Sequence, residues 1–212
     1  MVKYRIFKSG SDGNAVLIEE RLMIDCGVPF KELTGHVRQI QLILLTHRHG
    51  DHFNPATVRR LARERPMLRW GTPEWLVAAT AEAGVRKTNI DVFRPGQQYH
   101  YPAIQIEPVQ LYHDVPNCGY KIRLADGRRI FYATDTSSLD GITAEGFDLY
   151  MVEANYTEAD IRQRIQDKLN AGEYCYELKA RDRHMSREKA DNWIYRNMGR
   201  HSAYVYMHEH ED

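Results

Sequence analysis

The sequence is poor in cysteine. Of its 212 residues only Cys26, Cys118 and Cys175 carry a thiol, and they are odd in number, scattered and without a CxxC pair. That excludes a disulfide framework and suits a reducing compartment. An excess of one charge is also missing, because 29 basic and 29 acidic residues balance to a formal net charge of zero. A protein that grips long nucleic acid by its phosphates normally carries a basic excess, so any such binding must come from a local patch. A small anionic substrate is still allowed. No window approaches the roughly 18 consecutive apolar residues that span a bilayer, which argues against a membrane protein. The N-terminal Met1-Val2-Lys3-Tyr4-Arg5-Ile6-Phe7-Lys8 has charges inside its only apolar stretch, unlike a signal peptide. Repeats, low-complexity tracts and clear linkers are absent. The expectation is one soluble, cytoplasmic domain over 1–212.

What is present is a globular pattern. Apolar runs at Tyr4–Phe7, Ala15–Ile18 and Leu22–Ile24 read as strands, separated by the turn-rich Ser9-Gly10-Ser11-Asp12-Gly13-Asn14 and by charged residues. Phe30, Leu33, Val37 and Ile40 recur at helical spacing, which predicts a helix after Pro29. Leu42-Ile43-Leu44-Leu45 suits a strand covered on both faces. Helical spacing returns over 55–64 and over 75–83. Strands are expected around Val92 and over 104–109, 118–124, 129–132, 150–152 and 203–207, with helices over 158–169 and after Ser186, a hydroxyl cap. Two strand-rich blocks flanked by helices predict an α/β (α+β) protein, a four-layer αββα sandwich.

The chemistry concentrates after the buried strand 42–45. His47, His49, Asp51 and His52 place three imidazoles and a carboxylate within six residues. In an extended segment His47 and His49 point to the same side and can share an ion. Asp51 and His52, displaced by the turn, can reach a second one. Neutral imidazole and carboxylate are the usual ligands of zinc and its neighbours. Further candidates each follow a predicted strand, where loops carry function on a rigid scaffold: His113, Asp135 and His208. His210 is an alternative to His208. Asp25 is expected to support the ligand loop from behind.

Thr46-His47-Arg48-His49-Gly50-Asp51-His52 resembles the HxHxDH signature of the metallo-β-lactamase superfamily. Ser9–Asn14, His113-Asp114 followed by Gly119-Tyr120, and Ala133-Thr134-Asp135 look like the WalJ/YycJ-like branch, related to ribonuclease Z and containing exonucleases. The resemblance implies two divalent ions, zinc first, with manganese or iron also accepted. His47, His49 and His113 would hold one, Asp51, His52 and His208 the other, and Asp135 would bridge them. A hydroxide shared by the ions would attack phosphorus, with Asp51 orienting it. Val152-Glu153-Ala154-Asn155 and His184-Met185-Ser186 resemble accessory motifs of the phosphodiesterase side. His184 is then the leaving-group acid, and Glu153 either assists it or is a buried acid bonded to the loop. Arg183 and Arg187, with Arg181, would meet phosphate oxygens. The arginines at 59, 60, 63, 65 and 69 are a second basic group or a solvated helix face.

The implied activity is a phosphodiesterase or nuclease acting on nucleic acid. Alternatives are a cyclic-nucleotide phosphodiesterase, a thioester or lactone hydrolase, and a metal-retaining module without catalysis. Relatives suggest a possible homodimer, with Trp70, Trp75 and Tyr99 either core or dimer surface.

Overall fold

The structure is a computed structural model that describes residues 1–209, so His210 lies outside the described residues. The chain forms two compact units, the first running from Met1 to Tyr99 and the second starting at His100. In the first, the short apolar runs become strands β1 (Tyr4–Gly10), β2 (Gly13–Ile18), β3 (Leu22–Ile24), β4 (Leu42–Leu44), β5 (Arg69–Pro73) and β6 (Ile90–Phe93). They form one six-stranded sheet in chain order. The β1–β2–β3 pairings are antiparallel and those through β4, β5 and β6 are parallel. All residues of β2, β3 and β4 are buried, as the apolar runs Ala15–Ile18, Leu22–Ile24 and Leu42–Leu44 demand.

Helix α2 (Pro55–Glu64) starts on Asn54, whose Oδ1 accepts from the N–H groups of Ala56 and Thr57. It buries Val58 and Leu61 in the unit's core with Ile43, Trp70 and Leu76. Trp70 is fully buried, so of the two readings the core one holds; Trp75 packs on the same core, and Tyr99 stacks on Phe93. The arginines over 59–69 have local partners: Arg60 on α2 pairs with Glu64, Arg65 at its end donates to the Val37 carbonyl, and Arg69 on β5 pairs with Asp91.

One expectation is corrected. The helix after Pro29 is only four residues long, α1 (Phe30–Leu33). Beyond it, short-range bonds from His36 N–H to Leu33 O and Gln39 N–H to His36 O build a string of turns. Thr34 and Gly35 are weak helix formers at that point. The turns still bury Val37 and Ile40, which is why the apolar spacing looked helical.

The second unit repeats the plan. Its sheet holds β7 (Tyr99–Tyr101), β8 (Ile104–Leu111), β9 (Asn117–Leu124), β10 (Arg129–Ala133), β11 (Leu149–Glu153) and β12 (Ala203–Met207), in the order β12-β11-β10-β9-β8-β7. The β8–β9–β10 meander is antiparallel, and β10–β11–β12 is parallel. In the first unit α3 (Val77–Glu82) lies between β5 and β6 in the chain; α4 (Glu158–Ala171), α5 (Glu177–Arg183) and α6 (Arg187–Asn197) belong to the second unit. Thr157 and Ser186 cap α4 and α6 by accepting from Asp160 and Lys189 N–H groups. Phe131, Tyr150, Ile194 and Met185 fill the second core. Among the described residues no helix is long and apolar enough to cross a membrane.

Candidate metal centre

The ligand loop begins where β4 ends and is built on one buried carboxylate. Asp25, fully buried just past β3, accepts from Thr46 N–H at 2.9 Å through Oδ1. Its Oδ2 accepts from Thr46 Oγ at 2.9 Å and faces His52 Nδ1 at 2.7 Å. Thr46 Oγ also lies 3.0 Å from His47 Nδ1. The simplest proton arrangement has His52 Nδ1–H donating to Asp25, and His47 Nδ1–H donating to the threonine oxygen. Both Nε2 lone pairs are then turned outward, which is how a buried partner prepares a metal-binding imidazole. Burial pushes the Asp25 carboxyl above its ordinary range, against the pull of His52 and of the Thr46 donors.

His47 Nε2 and His49 Nδ1 stand 3.2 Å apart. Two nitrogens on one tetrahedral ion with bonds of 2.0–2.1 Å sit about 3.3 Å apart, so this spacing fits two lone pairs aimed at a common cation. Asp51 is oriented by Asn14, whose Nδ2 donates to its Oδ2 at 3.2 Å and to its carbonyl oxygen at 3.3 Å. His52 Nε2 lies 3.5 Å from the same Asp51 oxygen. The Ser9–Asn14 turn is thus more than a permissive corner: Asn14, which the sequence offers as a turn former within a family-like motif, holds Asp51 in place. Gly27 completes the support: a Cβ there would lie 1.6 Å from the Asp51 carbonyl oxygen, so no other residue fits.

The second unit gathers its own group. Asp135 follows β10 with φ of 57°, and His208 follows β12 with φ of 55°. Asp25 has φ of 60° in the same position after β3. Non-glycine residues held left-handed cost about 1–3 kcal/mol each and concentrate at functional sites. Asp135 Oδ1 lies 3.9 Å from His113 Nε2 and 3.5 Å from His208 Nε2. One Asp135 oxygen thus faces both imidazoles. His113 Nδ1–H donates to the Arg183 carbonyl oxygen at 3.2 Å, so the ring's lone pair is on Nε2. Burial lowers the His113 pKa despite the nearby Asp135, which keeps the ring neutral as ligation requires. Asn155 Nδ2 donates to the His208 carbonyl at 2.8 Å and lies 3.0 Å from His208 Nδ1.

Asp135, Glu153, His184 and His208 form one buried group, each offering an atom within 4.8 Å of the others. Glu153, fully buried at the end of β11, accepts from Thr136 N–H at 2.7 Å and faces His184 Nδ1 at 2.5 Å. It is both bonded to the Asp135 loop and partner to His184. The His184 ring stacks on His208 with centroids 5.0 Å apart, and its Nδ1 is 3.8 Å from Asp135 Oδ1. Burial alone would lower the His184 pKa, but Glu153 outweighs it and the net direction is upward.

Arg183 ion-pairs with Asp114 at 3.0 Å, and the Arg187 guanidinium lies 4.5 Å over the Tyr206 ring. His36 is half-buried, while His100 and His201 are exposed. The donor chemistry, imidazoles with their second nitrogens occupied plus carboxylates, fits divalent transition metals.

Residues 20–208 match the family model described as Beta-lactamase superfamily domain, and the chain belongs to that family. Within it the chain is similar to the exodeoxyribonuclease WalJ of Streptococcus pneumoniae, 27% identical over 225 residues that cover 97% of this chain and 80% of that protein. Among solved structures, the metallo-β-lactamase fold protein YhfI from Bacillus subtilis matches with a TM-score of 0.73 at 18% identity, over 100% of this chain and 87% of that one. The short form of human tRNase Z matches with a TM-score of 0.69 at 16% identity, over 100% and 93%. The expected fold class and the WalJ/YycJ-like resemblance are borne out. The protein is a metallo-β-lactamase-superfamily hydrolase with buried His/Asp clusters suited to metal.

Proposed function

We propose that this hydrolase is a nuclease that cleaves phosphodiester bonds of nucleic acid with two divalent ions, zinc first. In this reading His47, His49 and His113 hold one ion, Asp51, His52 and His208 the other, and Asp135 serves both. When bound, such ions supply Lewis acidity and a water ionised near neutral pH. The protein's own residues do the rest. Asp51, fixed by Asn14, orients the attacking water. His184, held at Nδ1 by Glu153, presents its other nitrogen to the leaving oxygen and gives it a proton, a contribution of about 10²–10⁴-fold.

The observation that carries the reading is the Glu153–His184 pair at 2.5 Å, buried against Asp135 and His208. A thioester expels a thiolate, which has less need of a dedicated buried acid than the alkoxide leaving phosphorus. The similarity to WalJ, an exodeoxyribonuclease, supports nucleic acid as the substrate.

The test is a parallel assay of metal-loaded protein on bis-p-nitrophenyl phosphate, linear DNA, RNA, cyclic mononucleotides, a lactone and a thioester. Phosphodiester cleavage that disappears in His49→Ala and slows at least 100-fold in His184→Ala is expected. Lactone or thioester turnover without phosphodiester cleavage rejects the reading, and cleavage confined to cyclic mononucleotides replaces nucleic acid as the substrate.

A further inference from the structure

Beside His113 the second unit carries a groove of about 480 Å³, a size typical of small-ligand sites, lined among others by Tyr112, Asp114, Pro116, Ser137, Asp182 and Arg183. Its most unusual member is Tyr112, a large aromatic residue that is 55% exposed yet adjoins a ligand candidate in the chain. An exposed ring usually sits on a yielding backbone. This one does not. Tyr112 N–H donates to Thr136 Oγ at 3.1 Å, and its carbonyl accepts from Ser137 N–H at 2.8 Å. Both bonds run to the loop that follows Asp135, so the ring stands on the same frame as the candidate bridging carboxylate.

The groove's charge decides what it takes. Its guanidinium, Arg183, is paired with Asp114 at 3.0 Å, and Asp182 adds a second carboxylate. Away from His113, where the proposed ion would sit, two acids against one already paired cation do not attract phosphate. They do accept hydrogen bonds from amino and imino groups, and so can Ser137 Oγ and Gln110 Oε1, since the Gln110 amide nitrogen already donates to the Leu111 and Asn117 carbonyls. A flat, neutral ring with a hydrogen-bonding edge and a face for Tyr112 meets those terms. Base-on-aromatic stacking is the general device by which proteins hold single strands.

We propose that this groove is a base-binding subsite, in which Tyr112 stacks an unpaired nucleobase next to the phosphodiester being cleaved. The inference rests on the nuclease reading and deepens it: the substrate is a single-stranded or frayed end, since a paired base cannot leave its stack without cost. Tyr112 is a specificity-determining residue and the chemistry lies elsewhere.

The experiment compares a single-stranded DNA oligonucleotide with the same strand made abasic at its terminal nucleotides, using metal-loaded full-length protein. Tyr112→Ala is expected to raise KM on the intact strand about 5- to 150-fold, equivalent to about 1–3 kcal/mol, and to leave the abasic strand unchanged. Tyr112→Phe should keep the wild-type preference, because it keeps the ring face. Tyr195→Ala, another exposed tyrosine, should change neither. Equal losses on both strands, or no loss on either, overturn the subsite. If wild-type protein cleaves no phosphodiester at all, the nuclease reading fails, and the subsite is judged by fluorescence anisotropy with the same two strands. Tighter binding of the intact strand that vanishes in Tyr112→Ala sustains it; equal binding of both strands ends it.

Discussion

Replacing Asp25 should separate the stability of the ligand loop from its affinity for metal. In Asp25→Ala the Thr46 N–H, the Thr46 hydroxyl and the His52 Nδ1–H lose their acceptor inside a fully buried site. Each stranded donor costs about 1–3 kcal/mol. Burial already disfavours the Asp25 charge, so removing it gives back part of that loss. The expected net cost is about 2–4 kcal/mol, or about 4–15 °C in Tm for a chain of this size. Asp25→Asn keeps the shape and one acceptor oxygen, and should cost only about 1–2 kcal/mol. Its amide, however, can donate to His52 Nδ1 and so drive the ring proton onto Nε2, the nitrogen a metal needs. Loss of such a partner typically weakens metal binding about 10–100-fold. Thermal melts of chelator-treated protein and titration with zinc in a competing indicator measure the two effects separately. Wild-type zinc affinity in Asp25→Asn would refute the claim that Asp25 sets the His52 tautomer. Equal melting losses in both variants would refute the hydrogen-bond accounting.

Chelation should abolish hydrolysis, zinc or manganese should restore it, and metal analysis of active protein should return two ions per chain; one ion with full activity would count against the pair. Glu153→Gln removes most of what lifts the His184 pKa, leaving Asp135 alone against burial, so the pKa falls. The proton donor is then lost at lower pH, so the alkaline limb of the kcat profile should move toward acid; an unmoved limb would show that His184 is not the donor. Asn14→Ala frees the Asp51 carboxylate and should lower kcat about 10-fold, the scale of one lost hydrogen bond, with a smaller change in zinc affinity. Gly27→Ala, whose Cβ meets the Asp51 backbone at 1.6 Å, should give insoluble or metal-free protein, and a normal zinc titration would contradict that.

Some of the fold is hidden from sequence for identifiable reasons. Strand β5 carries Gly71 and Pro73, residues that ordinarily signal a loop, so it gave no strand pattern. Gly71 is there because a Cβ would stand 2.6 Å from the Phe93 ring, a packing fact with no local trace. Helix α5, seven residues with few buried side chains, likewise lacks the apolar spacing that marked α2. Strands β2 and β4, continuous and apolar, were plain.

His47, His49, Asp51 and His52 could be read directly because they lie close together in the chain, and a buried strand running into four candidate ligands within six residues has few other meanings. Asp25 too was legible as a support, being a lone acid at the end of an apolar run. The partners of Glu153 and His184, the Asn14 clamp on Asp51, and the placing of Asp135 between His113 and His208 were decided only by the folded chain. Hydrogen bonds between residues 31 or 37 positions apart depend on which strands lie side by side. Local sequence carries propensity and spacing, whereas the direction of a buried donor is set by the packing around it.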